Sequence, residues 1–184
     1  MSTWFTSDLH LGHVNIIKHC NRPFANVDEM NRAIIDNWNL VVNDTDVVFV
    51  LGDVALGKLD ETLPLVELLN GKKILVPGNH DRCWSGHKKV RPSDVSRYQD
   101  VGFSVYAEDI RICGWRLCHF PYAGDSREND RHVEHRPVKG REKILVHGHV
   151  HEKWKVNGTQ INVGVDVWNF TPVHEDEIRD LMGL

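Results

Sequence analysis

Three short apolar runs, Trp4 to Ser7, Asp46 to Leu51 and Lys73 to Pro77, are separated by stretches of helical periodicity, and a polar cluster follows each run. This alternation restricts the fold more than any other feature. Met30, Ala33, Ile34, Trp38 and Val41 recur at helical spacing behind Asp28, read as the N-cap, and predict an amphipathic helix over residues 28 to 42. Leu59, Leu63, Val66 and Leu69 mark a second helix closed by Asn70-Gly71. The run from Asp46 to Leu51 is continuously apolar instead of alternating, as expected of a strand covered on both faces. A β-α-β-α-β order gives parallel strands joined by right-handed crossovers.

The second half reads as β-rich. A short helix is expected near Ser93 to Asp100, and the segments Asp109 to Cys113 and Trp115 to His119 alternate around Gly114 like a hairpin. Residues 123 to 142 are charged and polar and read as a long loop. Strands follow at Lys143 to Val146, at about 153 to 156 and at 160 to 167, with a last helix from about His174 to Met182. The expected class is α/β, a pair of sheets flanked by helices, in one domain over residues 1 to 184. No apolar run approaches the roughly 20 residues of a membrane span and the N-terminus has no signal-peptide plan, so a cytoplasmic location is expected. A net charge of -4 argues against a chain that tracks long nucleic acid. The four cysteines form no CxxC pair and read as reduced thiols.

The 12 histidines carry the chemical information. Parallel α/β sheets place functional groups beyond the carboxyl ends of their strands. Asp8-x-His10 and His149-x-His151 each set two donors on one side of a strand end, Gly52-Asp53 ends the most apolar strand, and Gly78-Asn79-His80-Asp81 lines up an amide, an imidazole and a carboxylate. His119 ends another strand. Taken singly, each has a plainer reading: a capped turn for Gly52-Asp53, a solvated turn for the histidine pair, a hydrogen-bonded buried imidazole for His119.

In order, these blocks spell D-x-H, G-D, G-N-H-D, H and G-H-x-H, and over residues 8 to 151 the sequence resembles the calcineurin-like metallophosphoesterases, continuing into Asn162-Val163-Gly164-Val165-Asp166. The resemblance implies a four-layer α/β/β/α sandwich without a cap domain. It implies one metal held by Asp8, His10, Asp53 and His151 and a second held by Asp53, Asn79, His119 and His149. Two divalent ions, manganese favoured with iron, zinc or cobalt as alternatives, suit such oxygen and imidazole donors. A water between ions about 3.5 to 4 Å apart would attack the phosphorus. His80 would act on the phosphoryl or leaving oxygen, with Asp81 orienting its ring. His13 is open between bordering the substrate and starting a helix, and Arg22 and His19 are similarly open, with a phosphate contact or a solvated loop position as the readings for the arginine, and stay outside the expected site. The expected activity is a phosphodiesterase on small nucleotide diesters, 2',3'- or 3',5'-cyclic, with no membrane partner and no stable nucleic-acid complex. The alternatives are a nucleotide phosphomonoesterase or dinucleoside polyphosphate hydrolase, then a nuclease or an inactive scaffold.

Overall fold

The computed structural model describes residues 1–107, 109–127 and 129–184. Its strands are β1 (Thr3–Thr6), β2 (Val47–Val50), β3 (Lys72–Leu75), β4 (Phe103–Val105), β5 (Ile110–Ile112), β6 (Trp115–Leu117), β7 (Ile144–His147), β8 (Val156–Asn157), β9 (Gln160–Asn162) and β10 (Val173–His174). The α-helices are α1 (Val14–His19), α2 (Val27–Val41), α3 (Leu59–Thr62), α4 (Pro92–Asp100) and α5 (Glu175–Met182). Two five-stranded sheets result, ordered β10-β1-β2-β3-β4 and β5-β6-β7-β9-β8. In the first, β1 to β4 run parallel and β10 pairs antiparallel to β1; in the second, β6, β7 and β9 are parallel between antiparallel edges.

Side-chain alternation along β1 and β2 builds two cores at once. Phe5 and Phe49 face the second sheet, stack with centroids 5.4 Å apart, and pack with Trp115, Leu117, Val146 and Ile161. Val48 and Val50 face the other way, onto Met30, Ile34 and Trp38 of α2 and Tyr98 of α4. Both faces of β2 are therefore covered, which is why its sequence shows no polar alternation. The outer face of the second sheet, at Leu145 and Cys118, is covered by Trp84, Phe120 and Tyr122, with His135 of a single 3-10 turn stacked edge-on against Trp84.

Several boundaries differ from the sequence reading for identifiable reasons. The α2 cap is Asn26, whose Oδ1 accepts the Glu29 N–H at 2.9 Å, while Asp28 and Glu29 sit in the first turn where they favour the helix dipole. The second expected helix is α3 followed by a 3-10 segment, Leu63–Leu68. Pro64 cannot donate to the carbonyl four residues back, so the α-pattern stops there. The strand expected over 160 to 167 ends at Asn162, after which the chain bends into a 3-10 turn, Val165–Val167. A helix start at His13, the N-cap of α1, was one of two readings for that residue, while β4 and β10, with three and two residues, are too short for a periodic signature and were not anticipated. Among the described residues no helix is long and apolar enough to cross a membrane.

Trp38 is fully buried and its Nε1–H donates to the Asn70 carbonyl at 3.0 Å. Trp38→Ala is expected to lower the unfolding free energy by about 3–5 kcal/mol, measured by chemical denaturation. An unchanged midpoint would show that α2 does not anchor the first sheet.

Candidate metal centre

The polar clusters lie beyond the carboxyl ends of five parallel strands, β1, β2 and β3 from one sheet and β6 and β7 from the other. Past β1 the chain still bonds to the segment after β2, with Asp8 N–H to Gly52 O, His10 N–H to Asp53 O and Leu11 N–H to Val54 O, all at 3.0 Å. The backbone is nonetheless unusual at five of the seven candidate donors. Asp8, His10, Asp53, His149 and His151 have φ of 58°, 52°, 56°, 71° and 50°, the left-handed region that costs a non-glycine residue about 1–2 kcal/mol. The loops D-x-H and H-x-H thus share one construction, left-handed at both donors. Such strain persists only where the surroundings over-determine it, and it concentrates at functional sites. Two glycines make room. A Cβ on Gly148 would lie 2.4 Å from Asp8 Oδ2, and one on Gly78 would lie 2.3 Å from Asp53 Oδ1.

Asp8, Asp53, His119 and His151 each have one atom held by a partner and another turned toward the cluster. His119 Nδ1–H donates to the Leu51 carbonyl at 2.7 Å, leaving Nε2 3.6 Å from Asp53 Oδ2 and 3.2 Å from Asn79 Oδ1. His151 Nδ1 lies 3.2 Å from Asp166 Oδ2, and its Nε2 is 4.0 Å from Asp8 Oδ1. Asp8 Oδ2 accepts the His149 N–H and Asp53 Oδ1 accepts the His80 N–H, both at 2.9 Å. His10 Nε2 stands 3.6 Å from Asp53 Oδ2 and 4.0 Å from Asp8 Oδ1. Asp8 Oδ1 and His10 Nε2 are buried with no hydrogen-bond partner. Such orphaned atoms are costly. At 3.6 to 4.0 Å the facing atoms are too far apart to bond one another, yet near enough to share an ion with ligand distances of about 2.0–2.2 Å. The residues present therefore fit divalent ions, with Asp53 between the two imidazoles.

Electrostatics agree. Burial, with His151 and Arg22 nearby, holds the His10 imidazole well below its usual pKa, and burial together with His119 pushes His149 down to about 3. Both rings are neutral at physiological pH and keep a lone pair for a metal. For His151 the cost of burial is outweighed by the Asp8 charge and the Asp166 hydrogen bond, which hold it well above the usual value. At Asp53, burial is likewise outweighed, by His119 and His80, and its carboxyl lies below the ordinary range.

The other expected site residues fall as follows. His149 joins the group by packing its ring edge-on to His119, centroids 5.2 Å apart. The His80 ring is 5.4 Å from that of His10 and lines a cleft of about 360 Å³ with His13, Asn15, Arg127 and Arg131. His13 occupies the N-cap of α1 and also borders this cleft, 5.2 Å from the His10 ring. Asp81 is turned away from the His80 ring. Its Oδ2 accepts the Asp53 and Gly78 N–H groups at 2.8 Å and its Oδ1 accepts the Val54 N–H at 3.0 Å, with the Tyr98 hydroxyl at 3.4 Å. It fastens two loops together instead of aligning a ring. Burial and the Asp53 charge push its carboxyl up to about 7 against the pull of those N–H groups.

Arg22 is not a solvated loop residue. Its side chain is buried and donates to Asp8 O at 2.8 Å, Leu9 O at 3.0 Å and both carboxylate oxygens of Asp166 at 2.8 and 2.9 Å. Arg22 and Asp166 thus brace His151 and the Asp8 backbone. Asp166 stood in the stretch that continued the family pattern, but its role came from no local signal. Asp125, 3.1 Å from His149 Nε2, was hidden in the charged loop.

The chain belongs to the calcineurin-like phosphoesterases, whose family model matches residues 1–151. Membership makes it a metal-dependent phosphoester hydrolase. A Methanocaldococcus jannaschii protein is 35% identical over 188 residues, covering 97% of this chain and 90% of its own. The gene 66 protein of Mycobacterium phage L5 is 33% identical over 197 residues, covering 98% and 94%. Among solved structures, an Aquifex aeolicus protein of unknown function has a TM-score of 0.69 at 26% identity, covering 98% of both chains. A nuclease from Pseudomonas putida has a TM-score of 0.51 at 20% identity over 85% of this chain and 65% of its own, a likeness of fold.

Gly148→Ala is expected to displace Asp8 and abolish metal uptake while the protein stays folded, checked by metal analysis beside circular dichroism. Because an ion must displace the proton held by His151, affinity should fall as pH falls through that raised pKa. It should still be rising above pH 6.5, the ordinary imidazole value, when measured by manganese titration.

Proposed function

We propose that this metal-dependent phosphoesterase is a binuclear phosphodiesterase acting on small nucleotide diesters of the 2',3'- or 3',5'-cyclic kind, with manganese as the favoured ion. The observation that carries the diester preference is that two of the three arginines beside the cluster, Arg127 at the cleft being the third, are held by carboxylates. Arg22 is spent on Asp166 and two carbonyls, and Arg131 is spent on Asp125 at 2.7 Å. A monoester dianion gains most from a bidentate guanidinium clamp. A diester carries a single charge and needs less.

Asp8, His10, Asp53 and His151 would hold one divalent ion, and Asp53, Asn79, His119 and His149 the other. A pair of such ions supplies Lewis-acid charge to a phosphoryl group and lowers the pKa of water. The protein's part is positioning. Asp53 separates the two donor sets, Asp81 fixes the backbone of Asp53 and Gly78, and the Arg22–Asp166 pair holds His151. His80, half-buried at the cleft, would give a proton to the departing alkoxide.

A second reading, a longer phosphodiester strand, is favoured by one feature. Residues 82 to 97 gather Arg82, His87, Lys88, Lys89, Arg91 and Arg97 around a hollow of about 560 Å³, although the chain is acidic overall. Arg91 pairs with Asp94 and Arg97 with Asp60. Backbone phosphates are recognised by such cations.

Manganese-reconstituted protein is expected to hydrolyse bis-p-nitrophenyl phosphate faster than p-nitrophenyl phosphate, with Asp53→Ala inactive on both. Turnover of cyclic nucleotides supports the first reading, and turnover confined to oligonucleotides supports the second. A preference for the monoester overturns both. His80→Ala should lower kcat by about 10²–10⁴-fold with metal content retained, and equal loss of both would make His80 a ligand or a fold element.

A further inference from the structure

Within the long connection from β6 to β7, Asp125 meets a ligand candidate of the metal centre directly. Asp125 has its side chain 1% exposed in a segment that is otherwise largely charged and surface-lying. Its Oδ1 accepts from Arg131 Nη2 at 2.7 Å and from the Arg127 N–H at 3.0 Å, and its Oδ2 accepts the Arg131 N–H at 3.0 Å. The same Oδ2 lies 3.1 Å from His149 Nε2. Paired with the Arg131 guanidinium and accepting two backbone N–H groups, Asp125 stands as a carboxylate that accepts on both oxygens. An ionised carboxylate has no hydrogen to give. The bond to His149 is therefore a donation from Nε2–H, and a neutral imidazole protonated there carries its lone pair on Nδ1.

We infer that Asp125 is a positioning residue for the metal centre: it selects the Nε2–H tautomer of His149, so that Nδ1 is the atom offered to the second divalent ion, and thereby ties the loop 123–142 to occupancy of that site. His119 and His151 follow the same rule with partners outside this loop, the Leu51 carbonyl and Asp166. His149 alone of these three takes its partner from the 123–142 loop. A carboxylate behind a metal-bound imidazole orients the ring and raises its basicity. Because binding free energies are reciprocal, whatever disorders the loop weakens the second ion, and the second ion orders the loop.

The inference rests on the second half of the binuclear reading, and the test separates the two. Metal-free protein is titrated with manganese by calorimetry. Wild type is expected to bind two ions. Asp125→Asn should bind the first unchanged and the second about 10–100-fold more weakly, with Asp125→Glu recovering part of the loss. An asparagine amide can donate to Nε2 as well as accept from it, so it no longer enforces one tautomer. A readout free of turnover comes from nitrogen-15 NMR of the metal-free wild type, which should show His149 protonated on Nε2, with a mixture in Asp125→Asn. Two ions bound equally tightly by Asp125→Asn and wild type, or an Nδ1–H tautomer in wild type, would overturn the inference. Fewer than two ions on wild type would instead overturn the binuclear reading, while the NMR arm still tests the pairing of Asp125 with His149.

Discussion

Asp8, Asp53 and Asp81 are buried together at no more than 1% exposure, and the structure around them is organised by the need to compensate that charge. Isolated carboxylates in such a place would be prohibitively costly. Asp81 is satisfied entirely by the protein, through three backbone N–H groups. Asp8 and Asp53 are satisfied by halves, one oxygen on a backbone N–H and the other turned toward imidazoles. His119 and His151 repeat the arrangement, one nitrogen tied and one directed inward. Half-satisfied donors converging on one spot are costly by themselves and become favourable when a cation shares them, so ion binding and fold stability are coupled here.

Holding those half-satisfied groups in place takes both sheets. The backbone is left-handed at five donor positions, and only a rigid frame keeps it there. The stacked Phe5 and Phe49 pair and the Trp115, Leu117 and Val146 face fix the separation of the sheets, which sets the distance between the donors at the ends of β1 and β2 and those at the ends of β6 and β7. Arg22 then acts as a buried strut between the Asp8 loop and Asp166. Its guanidinium is the cation that offsets Asp166, which in turn orients His151.

Much of this was legible from local pattern. Asp8, His10, Asp53, Asn79, His119, His149 and His151 each follow an apolar strand, and the type of donor is visible in the residue itself. The α2 helix was legible because fifteen residues carry several turns of periodicity. The regular helix expected through Leu69 failed at Pro64, where a local backbone rule outweighs the apolar spacing. The roles of Arg22 and Asp125 were not legible, because their partners lie 144 and 24 residues away. Asp81 was expected to orient the His80 ring, and its actual target could not be read, since the amides it binds belong partly to the loop after another strand.

The order of amino acids by itself determined the long amphipathic helix, the apolar strands that carry the donors at their ends, and hence the family. These depend on backbone preference and residue chemistry over a few neighbours. Only the tertiary structure decided which nitrogen of each imidazole is tied, which carboxylate oxygen faces inward, and which loop residue supports His149. Those choices are made by hydrogen bonds across space, whose partners are set by the packing of two sheets and not by spacing along the chain.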